Sequence, residues 1–351
     1  MSGKTQMKNK KGFGEWIRSR KGQKMLILIA FMTIPLTLLL VFTYVPFLEM
    51  FKFSLYDRTY LKVKDFVGLE NYIEVFTRDD LFATLKLSLF YIAGGFVQLA
   101  LALFFATILC FKTKGSALFK GFLFFPYLIN GIAIGFIFKF FFTRGFVFDT
   151  VLGWLGFNLE NLPYWLKDMS INNFSLAGTS IWRYLGQNMV LFLGAMMAVD
   201  QTLYEAAAID GANAWHKFRY IMLPSIKSVV VLNIILSISG SLSAFEPPYV
   251  ITNGSFGTAT YFVKMNQLAH TNQKVGLASA MAIILFILIF IATMLQKIIM
   301  NRLFPTDDDG SRSAKKMNKR AAKQAKAAAK NTAVLTASGN AHDTVKGGAA
   351  G

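Results

Sequence analysis

The sequence is poor in charged residues and holds a single cysteine. Charged residues make up 16% of its 351 positions, whereas an ordinary soluble domain has about a quarter. Because Cys110 stands alone, no disulfide can form within the chain. The three histidines, His216, His270 and His342, are far apart, and no Cys/His cluster with the spacing of zinc ligands occurs. The sequence therefore predicts no metal site.

The sequence also lacks the motif of a nucleotide hydrolase. The pattern GxxxxGK followed by Ser or Thr, whose backbone cradles phosphates, does not occur. No nucleophile with a neighbouring base stands out among the sparse titratable side chains. We therefore expect that the chain is not an enzyme and that it binds no cofactor itself.

Apolar residues, in contrast, are abundant and come in long blocks. Hydrophobic residues make up 54% of the chain, and the mean hydropathy is +0.45. A helix needs about 20 apolar residues to cross the hydrocarbon core of a membrane. In the third such block, Gly131 and Gly135 form a GxxxG pair, which favours close helix packing. Six stretches are predicted as transmembrane helices: residues 25–47, 85–110, 117–142, 174–198, 228–249 and 275–299.

Positive charge is concentrated on one side of these six crossings. Lysine and arginine cluster in the first 24 residues, in the turn at 112–120, in the loop at 216–227 and beyond residue 297. The loops on the other side mix acidic with basic residues. By the positive-inside rule, both ends of the chain are expected in the cytoplasm. Because the cations flank apolar blocks, the net charge of +18 indicates a membrane protein and not a nucleic-acid-binding one.

These patterns divide the chain into three parts. Residues 1–24 are basic with interspersed aromatic residues, and we expect an amphipathic segment on the inner leaflet. Residues 25–305 form the six-helix transmembrane domain. Residues 306–351 are rich in Ala, Lys, Gly and Ser without an apolar face, which predicts a disordered cytosolic tail. The first apolar block has no small-residue cleavage site after it and is interpreted as a retained signal anchor.

The cytosolic loop at 205–224 is predicted to fold as helix, break and helix. Thr202 and Glu205, three residues apart, can form a capping box at the start of the first helix. Gly211 can end that helix in a left-handed turn. Pro224 is expected to stop the second helix. The loop is therefore expected to be a rigid knob between two membrane helices.

The loop contains a set of residues at fixed spacing, from Glu205 to Pro224. The pattern resembles the EAA motif of bacterial binding-protein-dependent ABC importers, in which this element is the coupling helix that sits in a groove of the nucleotide-binding subunit. The resemblance implies that the motif contacts a separate ATPase; the alternative is an ordinary helical hairpin. The residues concerned are Glu205, Ala206, Ala207, Asp210, Gly211, Ile221, Leu223 and Pro224.

The resemblance covers residues 25–305 and extends to the carbohydrate branch, the maltose-type and multiple-sugar permeases. Residues 66–72 and the stretch around Thr252 and Gly257 are similar to segments of that branch. The resemblance implies an all-α membrane protein with the type I ABC importer permease fold, six transmembrane helices and a cytosolic coupling helix. It also implies a bacterial inner membrane, a second homologous permease as a heterodimer partner, two ATPase subunits that hold ATP and Mg, and an extracellular solute-binding protein. The expected function is import of a sugar, in the first place an oligosaccharide.

Polar residues in the fourth and fifth predicted helices mark a candidate substrate path, because such residues are costly on a lipid-facing surface. Sugars are held by hydroxyl and amide hydrogen bonds and by aromatic stacking. Ser237 and Ser241 are four apart and share one helical face. The alternative is that these residues only join helices. Resemblance to the maltose-type permease adds Gly186 to the candidates, which are Gly186, Gln187, Asn188, Ser237, Ser241 and Phe245.

The fourth and fifth predicted helices each contain a charged residue. Arg183 and Glu246 are expected near outer helix ends, paired with the backbone or with each other.

The same machinery could carry glycerol-3-phosphate or another small solute, but a phosphate favours several cations and only Arg183 is available. A secondary carrier would need an ionisable relay at mid-membrane, and a membrane enzyme would need paired carboxylates or a His/Asp cluster.

Overall fold

The computed structural model describes residues 19–110 and 115–303, and most of them are helical. Most of the amphipathic segment predicted at 1–24 and the whole tail predicted at 306–351 lie outside the described residues. The chain divides into two compact units, Met1–Ala292 and Thr293–Gly351. All sites discussed below lie in the first unit.

Most helices follow one another closely, and the longest connections are at 54–69 and 155–171. Antiparallel strands β1 (Tyr56–Arg58) and β2 (Val63–Phe66) form the sheet of the described residues. Short π-helical segments lie at Leu40–Tyr44, Phe218–Met222 and Gln267–Thr271, and 3-10 segments at Phe82–Leu87 and Leu159–Asn161. The α-helices are α1 (Arg20–Leu39), α2 (Val45–Phe53), α3 (Glu70–Thr77), α4 (Ser88–Cys110), α5 (Ser116–Leu128), α6 (Gly131–Phe141), α7 (Val147–Trp154), α8 (Asn172–Met197), α9 (Gln201–Ile209), α10 (Ala214–Lys217), α11 (Leu223–Ser225), α12 (Lys227–Leu242), α13 (Glu246–Thr252), α14 (Tyr261–Asn266) and α15 (Val275–Leu303).

Four helical stretches of the described residues are long and apolar enough to cross a membrane, and helices α5 and α6 make a fifth if the pair counts as one span. The fourth predicted crossing corresponds to α8, which has 26 residues and is therefore about 39 Å long. Because α8 contains polar residues, its mean hydropathy is lower than that of the four apolar stretches. The four apolar stretches are Arg20–Phe53, Phe82–Cys110, Lys227–Thr252 and Val275–Arg302.

The third predicted helix, 117–142, was wrong as a continuous element. It breaks between α5 and α6, whose axes differ by 98°. Ile129 adopts an extended conformation, and the Asn130 side chain accepts a hydrogen bond from the Ile132 N–H at 2.9 Å, which starts a new helix. Pro126 cannot donate a helical hydrogen bond and weakens the last turn before this break.

The two GxxxG glycines lie after this break and permit close packing. A Cβ on Gly135 would lie 2.6 Å from Val250, so the absence of a side chain lets α6 approach α13. A Cβ on Gly131 would lie against the charged side chains of Arg183 and Glu246, which are described below. The expectation of close helix packing at this pair is confirmed.

Helix α4 lies at the centre of the bundle and uses adjacent glycines to contact two neighbours. Gly94 faces Ala177 of α8, and Gly95 faces Ser237 of α12. Further along α4, Ala102 and Ala106 are fully buried, four residues apart, against residues of α8. The other buried members of this cluster are Leu99, Leu109, Met189, Phe192, Leu193, Met196, Met222 and Ile226.

The two segments that are similar to the carbohydrate branch form turns outside the spans. Gly68 has a positive φ of 57°, and the buried Asn71 side chain donates to the backbone carbonyl oxygens of Ser54 (2.8 Å) and Tyr56 (3.1 Å). Asn253 and Gly254 also adopt left-handed conformations, with φ of 52° and 73°. These residues therefore fix chain direction at the ends of membrane helices.

Gly186 of α8 allows the backbone of α5 to approach closely. A Cβ at this position would lie 2.7 Å from the Phe124 Cα and would overlap the Leu123 carbonyl. Backbone atoms cannot move aside as a flexible side chain can, so α5 would have to shift.

We therefore expect that Gly186→Ala lowers the free energy of unfolding by about 1–3 kcal/mol, because it overpacks this contact. Gly194→Ala on the same helix is the matched control, since nothing lies within 4 Å of a Cβ there. That control should be neutral or slightly stabilising. Thermal unfolding of the purified protein in detergent measures both, and equal stability of the two variants would contradict the α5–α8 contact.

Candidate functional site

A cavity of about 400 Å³ lies between α4, α8, α12 and the start of α13. Polar side chains from the middle of α8 and along α12 reach its walls. The structure brings together five of the six residues predicted for a substrate path, which are Gln187, Asn188, Ser237, Ser241 and Phe245.

The sixth predicted residue, Gly186, is not on the cavity wall. It faces the backbone of Leu123 and Phe124 in α5. Successive residues of an α-helix are rotated by about 100°, so Gly186 points toward α5 when Gln187 points into the cavity. In this structure Gly186 therefore packs against α5 and does not line the cavity, and its place on a substrate path stays a prediction.

Helix α12 presents one polar face to the cavity. Asn233, Ser237 and Ser241 are spaced four residues apart, so they lie above one another. The Asn233 amide donates to the Val229 carbonyl at 2.8 Å, and the Ser241 hydroxyl donates to the Ser237 carbonyl at 2.7 Å. The Ser237 hydroxyl lies against Gly95 of α4, where a Cβ would require this hydroxyl to shift.

Three buried polar residues on the walls were not among the predicted site residues. Tyr91 and Gln98 come from α4, and Asn233 comes from α12. Their exposed fractions are 5%, 7% and 2%. Tyr91 and Gln98 are seven residues apart on one face of an otherwise apolar helix, and that spacing could have identified them.

An ion pair closes one side of the cavity. Arg183 Nη1 donates to Glu246 Oε2, and the guanidinium also lies 5.0 Å from the centre of the Tyr184 ring. The pairing of these two residues with each other was one of two predicted alternatives and is confirmed. Arg183, however, lies near the middle of α8 and not at its outer end. The Arg183 side chain is 14% exposed and that of Glu246 41% exposed.

The ion pair also joins a third element, the start of α6. A Cβ on Gly131 would lie 2.5 Å from Arg183 Nη1. Glycine at this position therefore lets the break between α5 and α6 rest against the pair. Glu246 belongs to the cavity wall, so three segments meet at the edge of the cavity.

The loop between α8 and α12 folds as predicted into helix, break and helix. Helix α9 ends at Ile209, and Gly211 has a φ of 77°, which confirms the left-handed turn. Helix α10 starts after Asn213, whose side chain accepts a hydrogen bond from the His216 N–H at 2.9 Å.

Two details of this loop were wrong. The N-cap of α9 is Asp200, which accepts from the Thr202 N–H at 3.0 Å, so Thr202 lies within the helix and forms no capping box with Glu205. This backbone hydrogen bond lowers the pKa of the Asp200 carboxyl, which keeps it ionised at the positive end of the helix dipole. Pro224 does not stop the second helix, because the π-helical turn at Phe218–Met222 precedes it and the chain continues as α11.

One side of the loop is held by the membrane bundle, and the other side is exposed and apolar. Met222 and Ile226 are buried in the same cluster as α4 and α8. In contrast, Ile209, Trp215 and Tyr220 are 87%, 64% and 72% exposed. One side of the loop is therefore packed against the bundle, and large apolar side chains are exposed on the other side.

The motif residues divide between these two sides. The half-buried ones anchor the loop, and the exposed ones are available to a partner. Ala207, Ile221 and Leu223 are half-buried, whereas the exposed ones are Glu205, Ala206, Asp210, Gly211 and Pro224. Across residues 19–110 and 115–303, no group of three His, Cys, Asp or Glu residues could hold a metal ion.

Comparison with known proteins identifies relatives of this arrangement. The family model described as "Binding-protein-dependent transport system inner membrane component" matches residues 98–305. This range runs from the middle of α4 to just past α15, so it includes α8, α12 and the whole cytosolic loop.

Curated relatives cover most of the chain. The trehalose/maltose transport system permease protein MalF of Thermococcus litoralis is 30% identical over 263 residues, which are 74% of this chain and 88% of that protein. The arabinooligosaccharides transport system permease protein AraP of Halalkalibacterium halodurans is 30% identical over 238 residues, 66% of this chain and 74% of that protein.

A solved structure shares the fold. It is a chain of a bacterial alginate ABC transporter in complex with an alginate pentasaccharide-bound periplasmic protein, with a TM-score of 0.70 and 18% identity. The likeness covers 81% of this chain and 97% of that chain. The predicted all-α permease fold is therefore confirmed.

The ion pair at the cavity edge can be tested by a double-mutant cycle. Arg183→Gln and Glu246→Gln should each lower the thermal stability, because each leaves the other charge without its partner. The double variant should lose less than the sum, with a coupling energy of about 0.5–3 kcal/mol. Lys139→Gln, which changes an exposed cation on α6, is the control. Additive effects of the two substitutions would mean that the pair contributes nothing.

Proposed function

The chain belongs to the family of binding-protein-dependent transport system inner membrane components, and from this membership we propose that its cavity is the path of a sugar delivered by an extracellular binding protein. The chain is a multi-pass membrane permease of an ABC importer. The observation that supports a sugar is the wall chemistry: hydroxyl and amide side chains line the cavity together with the aromatic ring of Phe245. Such groups hydrogen-bond to uncharged hydroxyls and stack on sugar rings.

The charge of the cavity favours a neutral cargo over glycerol-3-phosphate. Among the described residues of the cavity wall there is no cation, and the nearest guanidinium, that of Arg183, is engaged by Glu246. A phosphate entering this site would meet a carboxylate without a free cation to balance it, which is unfavourable in a partly buried site. A secondary carrier is disfavoured as well, because this paired carboxylate is the only acidic group on the described wall.

The loop between α8 and α12 is proposed as the surface that couples this chain to a separate ATPase subunit, which holds ATP and Mg. Its exposed Ile209, Trp215 and Tyr220 provide apolar area for a groove in that subunit. Its anchors, Met222 and Ile226, lie in the cluster that contains α4 and α8. A displacement of the loop by the ATPase would therefore act directly on two helices that line the cavity.

The transport cycle that follows is alternating access. Closure of two ATPase subunits would draw two such loops together, open the path outward and accept the sugar. Hydrolysis would then return the path to the inward-facing state. The cargo shifts these states only through a difference in its affinity for them.

The proposed assembly contains a second, homologous permease, two ATPase subunits and the binding protein. The first span, Arg20–Phe53, has no buried residue in its most apolar window, so its surface is available to lipid or to the second permease. The basic loop at 216–227 faces the cytoplasm in this arrangement, in a bacterial inner membrane with both ends of the chain inside.

The cargo is tested by uptake into proteoliposomes that contain the complete complex and its binding protein. We expect ATP-dependent uptake of labelled maltose or trehalose, and uptake of glycerol-3-phosphate lower by about tenfold or more, because the site offers a phosphate no cation. Vesicles without internal ATP are the control. Transport of the phosphate in preference to both sugars would refute the neutral-cargo proposal.

The coupling surface is tested at Gly211, where nothing lies within 4 Å of a Cβ. Gly211→Val should therefore act through backbone strain alone, since a positive φ costs about 1–2 kcal/mol in an ordinary residue and more in a β-branched one. Gly211→Asn is the matched variant, because asparagine tolerates this conformation.

Sugar-stimulated ATPase activity and uptake should fall severalfold in Gly211→Val and remain largely intact in Gly211→Asn. The amount of complex recovered from the membrane is measured in parallel. If Gly211→Val transports as the unmodified complex does, the assignment of this loop to coupling is wrong.

A further inference from the structure

Helix α7 turns its charged residue inward and its apolar residues outward. Asp149 is the only charged residue of this helix, and it is 3% exposed. On the opposite side Trp154 is 81% exposed, and Leu155, which directly follows the helix, is 70% exposed. A helix that faces water has the reverse pattern, with its charged residues outside. The outer side of α7 is therefore suited to an apolar environment.

The exposed apolar residues of α7 share one face of the helix, because they are spaced at positions i, i+4, i+7 and i+8. Thr150 lies among them, and its hydroxyl donates to the Phe146 carbonyl oxygen at 2.8 Å, so it does not depend on water for a partner. The four residues, here called the outer stripe, are Val147, Val151, Trp154 and Leu155.

The inner side of α7 is attached to the protein by polar and aromatic contacts. The Asp149 carboxylate accepts hydrogen bonds from the Gly145 N–H at 2.6 Å and from Trp165 Nε1 at 2.7 Å. Arg144 Nε lies 3.5 Å from the same carboxylate. The Phe148 ring contacts the Trp165 ring, with 4.7 Å between their centres. The helix therefore cannot rotate to bury the outer stripe without losing these contacts.

The attachment of α7 to α6 places the outer stripe close to the membrane surface. Helix α6 is the second half of the bent apolar pair that can count as one span. It ends at Phe141, and the Phe148 ring of α7 stacks on the Phe141 ring at 5.2 Å. Lys139, in the last turn of α6, is exposed. Because a lysine near the end of a membrane helix extends its charge to the headgroup region, α7 lies at the level where the hydrocarbon ends.

The exposed apolar surface of α6 continues onto α7. Ile137 and Phe140, three residues apart on α6, are 52% and 60% exposed. The Phe140 ring lies 6.3 Å from the ring of Phe146, which directly precedes the first residue of the outer stripe. An apolar surface that runs from a membrane segment to an adjacent amphipathic helix fits a helix lying in the membrane interface.

A protein that docks and leaves would suit the outer stripe less well than lipid. Between such encounters the stripe would face water, and large apolar patches are rare on surfaces that face water. Lipid covers the stripe at all times. Tryptophan and tyrosine are also concentrated at membrane interfaces, and the segment contributes the exposed Trp154 and Tyr164.

We propose that the outer stripe of α7 lies in the lipid headgroup region and that the bilayer is its partner. With both ends of the chain in the cytoplasm, this is the outer leaflet. The aromatic and aliphatic side chains of the stripe enter the boundary between headgroups and acyl chains, while Asp149 and Arg144 stay on the protein side. This inference goes beyond the proposed function, because it assigns a lipid contact outside the spans and does not depend on the cargo.

Spin labels on the outer stripe test the proposal. Cys110 is the only cysteine of the chain, so Cys110→Ala gives a subunit that is labelled only at an introduced cysteine. In this background, Val151→Cys and Leu155→Cys carry the label on the stripe. Asp79→Cys, at an exposed position between α3 and α4, is the water-facing control. The complete complex, with the cysteines of its partner subunits replaced, is reconstituted in nanodiscs.

Electron paramagnetic resonance then measures how often the label collides with oxygen, which concentrates in lipid, and with a water-soluble nickel chelate. At Val151 and Leu155 the ratio of oxygen to nickel collisions should exceed that at Asp79 severalfold. The ratio should not change when the binding protein is added. If one of the two stripe variants fails to assemble, the other one decides.

Each other result would overturn the proposal. Nickel collisions as frequent as those at Asp79 would mean that the stripe faces water. Nickel collisions that disappear only after addition of the binding protein would identify that protein as the partner. Protection from both reagents would place the stripe against the second permease. None of these results would affect the proposed sugar path, which is tested by uptake.

Discussion

The close approach of α4 to two neighbouring helices is the contact on which the rest of the structure depends. Gly94 and Gly95 are adjacent in sequence and therefore point in directions about 100° apart, one toward α8 and the other toward α12. Without side chains at these two positions, the three helices can enclose a cavity and still pack tightly below it, at Ala102 and Ala106. The same packed cluster contains Met222 and Ile226, at the end of the loop between α8 and α12. The helices that form the cavity wall are therefore packed directly against this loop.

The polar residues of the spans are tolerated because this arrangement removes them from lipid. The hydroxyl and amide groups of α8 and α12 face the cavity, and the charge of Arg183 is compensated by Glu246. The ion pair also lies against Gly131, at the break that separates α5 from α6. A bent helix exposes backbone groups that would be unfavourable in hydrocarbon, and their placement against protein makes the bend possible there.

Sequence reasoning identified what depends on composition and on single-residue geometry. The apolar spans, the left-handed turn at Gly211 and five of the cavity residues followed from hydropathy, from the φ preference of glycine and from side-chain chemistry. The break at Ile129 and Asn130 was missed because hydropathy averages over it. Pro224 was misjudged because a local rule could not foresee the π-turn that accommodates it, and Tyr91 was missed because a tyrosine in an apolar helix is usually a packing residue. Gly186 was assigned by resemblance, which did not specify the face it occupies here.

The π-turn at Phe218–Met222 determines the direction in which the exposed residues before it face. A π-turn contains one more residue than an α-turn, because its hydrogen bonds join residues five apart instead of four. Everything before it is rotated by about 100° around the helix axis relative to an uninterrupted α-helix. A deletion between Gly211 and Pro224 would therefore turn the exposed Ile209 and Trp215 away from their present direction, even if every motif residue were retained. The length of this interval therefore sets the direction in which the exposed side chains of the loop face relative to α12.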